Sequence, residues 1–234
     1  MSMSGQPPLR PGGLKLTKAA AAAAGISSES SILDIGCGSG TSLAFLRQEY
    51  DCSVTGIDHS ELALTAAGTN LMTSLTDCFD PDAPVNLLLA DASHLPIPDA
   101  SFDLIMMECT LTLFADPLAA LSEAARVLRP GGWLYISALC RKNPAASDPL
   151  VENGLLHAEN LREYLPSLKF KQSTISLSDQ TQALIQFVAD MIFRYGSLDA
   201  YIREAVAQND GCIFNCAISP KETGYVTILA QRAV

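Results

Sequence analysis

The ten residues from Ser31 to Gly40, Ser-Ile-Leu-Asp-Ile-Gly-Cys-Gly-Ser-Gly, constrain this chain more than any other stretch. Ile32, Leu33 and Ile35 read as a short buried strand that runs straight into a glycine-rich turn. Thr41-Ser42-Leu43-Ala44-Phe45-Leu46 then opens a helix. Glycines between a strand and a helix let backbone pass close to a ligand, because no Cβ stands in the way. The first amides of the helix lack intrahelical partners and carry partial positive charge. Such a turn suits a polar or anionic ligand group above the end of a parallel sheet. An ordinary tight turn is the plainer reading of three glycines taken alone.

The spacing narrows the ligand. A dinucleotide site wants G-x-G-x-x-G with an acid about 20 residues on. Here the glycines fall at Gly36, Gly38 and Gly40, and Thr41 stands where the third dinucleotide glycine would be. Asp34 lies in the strand just before the turn. A carboxylate there would repel a pyrophosphate and can accept from an ammonium group. A NAD-dependent oxidoreductase on a related sheet is thereby disfavoured.

Two further acids close predicted strands. Cys52-Ser53-Val54-Thr55-Gly56-Ile57-Asp58 is a second strand ending in a carboxylate able to accept both hydroxyls of a ribose. Asp58 or Ser60 could equally cap the helix predicted over 60–76. Val85 to Ala90 is a third strand, followed by Asp91-Ala92-Ser93-His94-Leu95-Pro96-Ile97-Pro98-Asp99. Ser101 to Glu108 is nearly continuous in apolar character, as expected of a strand buried on both faces. Glu108 and Cys109 end it. Pro117 to Leu128 has apolar residues at helical spacing (Leu118, Leu121, Ala125, Leu128).

At this point the resemblance is plain. Asp34-Ile-Gly-Cys-Gly-Ser-Gly40 resembles the first motif of the class I S-adenosyl-L-methionine (SAM)-dependent methyltransferases. Leu95-Pro-Ile-Pro-Asp99, Phe102-Asp103 and Leu128-Arg-Pro-Gly-Gly132 resemble further elements of that family. The resemblance implies an α/β fold, a Rossmann-like doubly wound, mostly parallel seven-stranded sheet of order 3-2-1-4-5-7-6. It implies SAM as cofactor and S-adenosylhomocysteine as product. Asp34, Gly36, Cys37, Gly38 and Gly40 would then receive the methionine end. Asp58, with His59 beside it, would hold the ribose, and Asp91, Ala92 and Ser93 the adenine, with Leu95 against the face of the base. Glu108 and Cys109 would sit nearest the transferred methyl group. Glu108 is the candidate base, substrate-orienting group or cofactor ligand. Cys109, Cys37 and Cys140 could approach the same crevice and instead serve a thiophilic metalloid acceptor, although buried thiols explain them more simply.

Composition agrees with this class. The chain has 234 residues and is 48% hydrophobic, ample for one elaborated domain. A net charge of −10 argues against a partner that presents phosphates, such as nucleic acid. Seven scattered cysteines, an odd number, suggest a reducing, cytoplasmic compartment. Cys212 and Cys216 have no second pair or nearby histidine, so no metal site is expected. Lys15 and Lys18 precede six alanines, a run too short and too poor in leucine for a leader, and nothing approaches a membrane span.

Residues 1–25 read as an extension plus an alanine-rich helix over 14–25 that can cover the site as a lid. Residues 26–234 read as the methyltransferase domain. Phe170 to Leu177 and Gly224 to Ala230 are predicted as the last two strands. Thr181 to Val206 is predicted helical with a break near Gly196, part of an insertion over about 179–215. The expected acceptor is a small molecule. A SAM-binding regulatory module without turnover is the alternative. Monomer and homodimer are both compatible with the sequence.

Overall fold

The computed structural model describes residues 10–74, 85–143, 149–209 and 221–234. Cys78, Cys212 and Cys216 lie outside them, as does the end of the helix predicted over 60–76. Helix α1 (Gly13–Ala23) leads to β1 (Ser31–Ile35), α2 (Thr41–Tyr50), β2 (Ser53–Asp58) and α3 (Glu61–Ser74). Then come β3 (Val85–Leu89), β4 (Phe102–Glu108), α4 (Pro117–Val127) and β5 (Leu128–Arg141). A small hairpin, β6 (Val151–Glu152) and β7 (Leu155–Leu156), precedes α5 (Ala158–Tyr164), β8 (Ser176–Asp179), α6 (Thr181–Tyr195), α7 (Leu198–Asn209) and β9 (Thr223–Gln231).

Among the described residues the strands form one sheet. Strands β3, β2, β1, β4 and β5 are parallel neighbours in that order. β9 then runs antiparallel to β5 and also pairs with β8. The expected 3-2-1-4-5-7-6 order therefore holds, with β9 and β8 as its last two members. The β6–β7 hairpin, which joins β5 at Cys140, is an addition. Leu33 pairs with Thr55 of β2 on one side and Ile105 of β4 on the other. Strand order thus reverses beside β1, and the crevice of a doubly wound sheet lies at that reversal.

The sheet is covered on both faces, which is why β4 is buried along nearly its whole length. On one face Ile32, Leu104, Met106 and Tyr135 pack with Ala20 and Ala21 of α1 and Leu43 and Leu46 of α2. On the other, Leu33, Ile105, Met107 and Ile136 pack with Leu121 and Ala124 of α4 and Leu161 of α5. Alternation along each strand deals successive side chains to opposite layers.

Several boundaries differ from the sequence reading. Leu128, the end of a predicted helix, and the residues after it to Gly132 are already part of β5. Phe102 pairs with Leu128, and the register slips before Leu104 meets Trp133, so the glycine pair forms an irregularity inside the strand. The predicted strand over 170–177 reduces to one bridge at Phe170, a 3-10 turn at Gln172–Thr174 and β8. Leu118, predicted to face the core, is exposed, and Ala120, Leu121, Ala124 and Val127 form the buried stripe instead. Pro117 sits in the first turn and Asp116 caps it, accepting from the Ala119 amide at 2.9 Å. Among the described residues, no helix is long and apolar enough to cross a membrane.

Candidate active site

The carboxyl ends of β1, β2, β3 and β4 open into one cavity of about 460 Å³. Asp34, Gly36, Cys37, Gly38, Asp58, His59, Asp91, Ala92, Ser93, Glu108 and Cys109 all line it. Gly40 stands behind this wall as the left-handed cap of α2. Arg10, Ser42, Thr110 and the segment from Leu113 to Asp116 complete the lining.

The turn after β1 is held by its own protein. The amides of Gly36 and Cys37 both donate to the Ile57 carbonyl, at 2.7 and 2.9 Å. The Gly38 amide donates to Asp58 Oδ2 at 2.9 Å. The neighbouring strand and its end thus take the amides of the turn itself. Gly36 has φ +79°, and a Cβ there would lie 2.5 Å from Thr110 Cγ2, so its missing side chain admits Thr110 rather than a ligand. Thr110 in turn donates to the Ile35 carbonyl at 2.8 Å. At Gly38, φ +52°, a Cβ would meet no described atom within 4 Å. Gly38 is where the turn meets open space.

The acids differ in their surroundings. Asp58 Oδ1 accepts from the Ser60 amide at 3.0 Å and Oδ2 from Gly38, while Ser60 Oγ accepts from Ala63 and caps α3. The capping foreseen at the start of α3 is thus made by Ser60, whose own amide Asp58 holds. His59 is largely exposed, its Nδ1 3.5 Å from Asp58 Oδ1. Asp91 is exposed and accepts the Ser93 amide and hydroxyl at 2.8 and 2.7 Å, which together hold its carboxyl below the usual range. Leu95 does not face the cavity; it is buried in the core, its amide bound to Glu123 at 2.7 Å.

Asp34 is the outlier. It is 3% exposed, and its Oδ1 has no hydrogen-bond partner among the described residues. Burial first, then the neighbouring Glu108, pushes its pKa up to about 8 against the pull of Arg10. A buried carboxyl group with an unpartnered oxygen on a cavity wall is suited to meet a cation.

Glu108 lies in a network the sequence did not disclose. Arg10 pairs with its Oε2 at 2.7 Å. Thr17 of α1 donates to Oε1 at 2.8 Å, and Ser42 of α2 to Oε2 at 2.5 Å. Arg10 also donates to the Thr17 and Ser42 hydroxyls, at 2.7 and 2.8 Å. Cys109 follows with φ +61°, a conformation non-glycine residues rarely adopt. Its Sγ is 3.1 Å from Tyr225 Oη of β9, and burial raises its thiol pKa. Cys140, expected near the crevice, does not line it. Arg10, Thr17 and Tyr225 carried no sequence signal, because all three reach the site through tertiary packing.

Residues 33–136 match the model of a family described as "Methyltransferase domain". That stretch, a little under half of the chain, is similar to a methyltransferase domain. Over 147 residues it is 35% identical to the O-methyltransferase cnsE of Penicillium expansum, an alignment covering 60% of this chain and 51% of that one. Over 105 residues it is 39% identical to 27-O-demethylrifamycin SV methyltransferase of Amycolatopsis mediterranei, covering 45% and 37%. The chain spans about half the length of most of the relatives it matches. Among solved structures, the [4+2]-cyclase SpnF matches with TM-score 0.71 and 24% identity, over 99% of this chain and 85% of that one. Phosphoethanolamine N-methyltransferase 2 of Haemonchus contortus, in complex with SAM, matches with TM-score 0.71 and 18% identity, over 96% and 54%. Both structural likenesses concern the methyltransferase domain's fold.

Proposed function

We propose that this protein transfers a methyl group from SAM to a small-molecule acceptor, leaving S-adenosylhomocysteine. The observation that carries the reading is that Asp34, Asp58 and Asp91, from the ends of successive strands, border one cavity. The unpartnered Asp34 Oδ1 fits the ammonium of the methionine end. Asp58, fixed by two backbone amides, fits the ribose hydroxyls. Asp91 and Ser93 fit the adenine. The open side of Gly38 leaves room for backbone contact with the ligand. Relatives named as methyltransferases of small molecules support the same reading.

When bound, SAM supplies an electrophilic methyl group on a positively charged sulfur. The chain's own residues bind, orient and exclude water, the usual division of labour with such a cofactor. Glu108 serves better as a positioning residue than as a base, since Arg10, Thr17 and Ser42 already occupy its carboxylate. Cys109 holds its proton and its bond to Tyr225, which weakens the metalloid reading. Residues 10–25 act as a lid tied to Glu108, and the α6–α7 insertion contributes acceptor contacts.

The test is calorimetry with SAM and S-adenosylhomocysteine, followed by transfer of labelled methyl to acceptors. No heat with either ligand sinks the proposal. The second reading, a SAM-binding module without turnover, draws on the likeness to a protein named as a cyclase. Fold alone does not fix chemistry. Binding without transfer to any acceptor class would favour that reading.

A further inference from the structure

Asp91, Ala92 and Ser93 line the cavity, yet they stand on an irregular segment that runs on to Asp99. Asp91 accepts from Ser93 through its carboxylate and from the His94 amide through its carbonyl, so this turn closes on itself. Local bonds shape a turn without fixing where it sits. Leu95 and Ile97 are buried in the cluster that holds Leu121 and Ala124 of α4, but apolar contact is non-directional. The direction comes from two polar side chains of α4. The Leu95 amide donates to Glu123 Oε2 at 2.7 Å. Arg126 donates to the Leu95 carbonyl from Nη2 at 3.1 Å and to the Ile97 carbonyl from Nη1 at 2.7 Å. Arg126 and Glu123 grip each other by two bonds, Nε to Oε1 at 2.8 Å and Nη2 to Oε2 at 2.7 Å. Among the described residues, the hydrogen bonds that tie Asp91–Asp99 to a helix end on Glu123 or Arg126. Nη1 also reaches Asp99, but that carboxylate is 77% exposed and the pair contributes little. Neither Glu123 nor Arg126 borders the cavity.

We propose that Glu123 and Arg126 are positioning residues for base recognition: they set where the Asp91–Ser93 turn stands in the cavity wall, and through it the selection of adenine. The inference rests on the methyltransferase reading, in which Asp91 accepts from the exocyclic amine of the base, and adds the pair that places this acid. A guanidinium suits the task and an ammonium does not. Its planar fork spans the carbonyls of Leu95 and Ile97 while still holding a carboxylate, whereas a lysine offers one nitrogen and a point charge.

The experiment is calorimetry of the full chain with S-adenosylhomocysteine and with S-inosylhomocysteine, in which an oxygen that cannot donate replaces the exocyclic amine. The unaltered protein should bind the adenosyl compound about tenfold tighter or more, the worth of a hydrogen bond to a charged acceptor. Arg126→Lys and Glu123→Gln should each weaken the adenosyl compound about tenfold and the inosyl compound by no more than about twofold, so that the preference disappears. Asp99→Asn should bind both as the unaltered protein does. A merely structural role would lower the melting temperature and weaken the two ligands alike. Both variants keep the length of the side chain; if one does not fold, the other decides. No preference in the unaltered protein, equal weakening of both ligands, or a preference retained in a folded variant would overturn the inference. Unaltered protein that binds neither ligand would strike instead at the methyltransferase reading.

Discussion

The Gly38 amide donates to Asp58 Oδ2 at 2.9 Å, so the acid at the end of β2 braces the glycine turn that follows β1. One carboxylate thus shapes the glycine turn and, in the proposed function, would also hold the ribose. Asp58→Ala should therefore lose more than a ribose contact. Each hydrogen bond to a charged group is worth about 1.5–3 kcal/mol. SAM affinity should fall by roughly tenfold to a hundredfold and the melting temperature should drop as well. Calorimetry and thermal unfolding of the ligand-free protein measure the two effects separately, and an unchanged melting temperature would contradict the brace.

Gly36 and Gly38 should fail in different ways. Gly36→Ala drives a Cβ to 2.5 Å from Thr110 Cγ2 at φ +79°, so its cost is in folding, about 2 kcal/mol or more. Gly38→Ala meets no neighbour, so its folding cost is only the left-handed backbone, about 1 kcal/mol, and its main loss should be SAM affinity. Urea unfolding and ligand titration of both variants test the contrast. Thr110→Ser removes Cγ2 and should partly restore Gly36→Ala.

Asp34 makes stability depend on pH in the unusual direction for an acid. Its pKa rises to about 8 in the fold, above the unfolded value near 4. The folded state therefore holds a proton that the unfolded state has lost. This contribution is fully present below about pH 4 and fades as pH rises to 8. Ligand-free Asp34→Asn should flatten the fall in melting temperature between pH 5 and pH 8.

Removing Arg10 leaves Glu108 as a buried charge without its ion-pair partner. Arg10→Met should destabilise by about 3–5 kcal/mol, the usual cost of breaking a buried pair from one side. Adding Glu108→Gln should recover much of it. Denaturant unfolding of the single and double variants gives the coupling directly. A loss no larger than about 1 kcal/mol would mean that the pair is effectively solvated.

Much of this architecture was legible because short-range chemistry and fold agree. Strands β1 to β4, helices α2 and α4 and the helix break at Gly196 follow from periodicity and from glycine as a helix stop. The three strand-end acids could be found because each ends an apolar run. What could not be read depends on distance along the chain. Thr17 meets Glu108 across 91 residues and Cys109 meets Tyr225 across 116, and no local pattern encodes either contact. The roles of the glycines were half legible. That a turn needs Gly36 could be seen, but that Thr110 fills its missing side chain could not. Leu95 misled because an apolar residue after a binding acid serves the core equally well.

The antiparallel seat of β9 between β5 and β8 also bears on how the chain is made. β5 emerges from the ribosome with one long edge bare, and the strand that covers it, residues 223–231, follows only after the hairpin, α5, α6 and α7. Throughout that interval Leu134, Ile136 and Ala138 belong to an unfinished sheet. Their backbone is open to any passing strand. Nascent chains stalled before residue 223 should therefore bind chaperones and aggregate, and those stalled well beyond residue 231 should become protease-resistant in a single step.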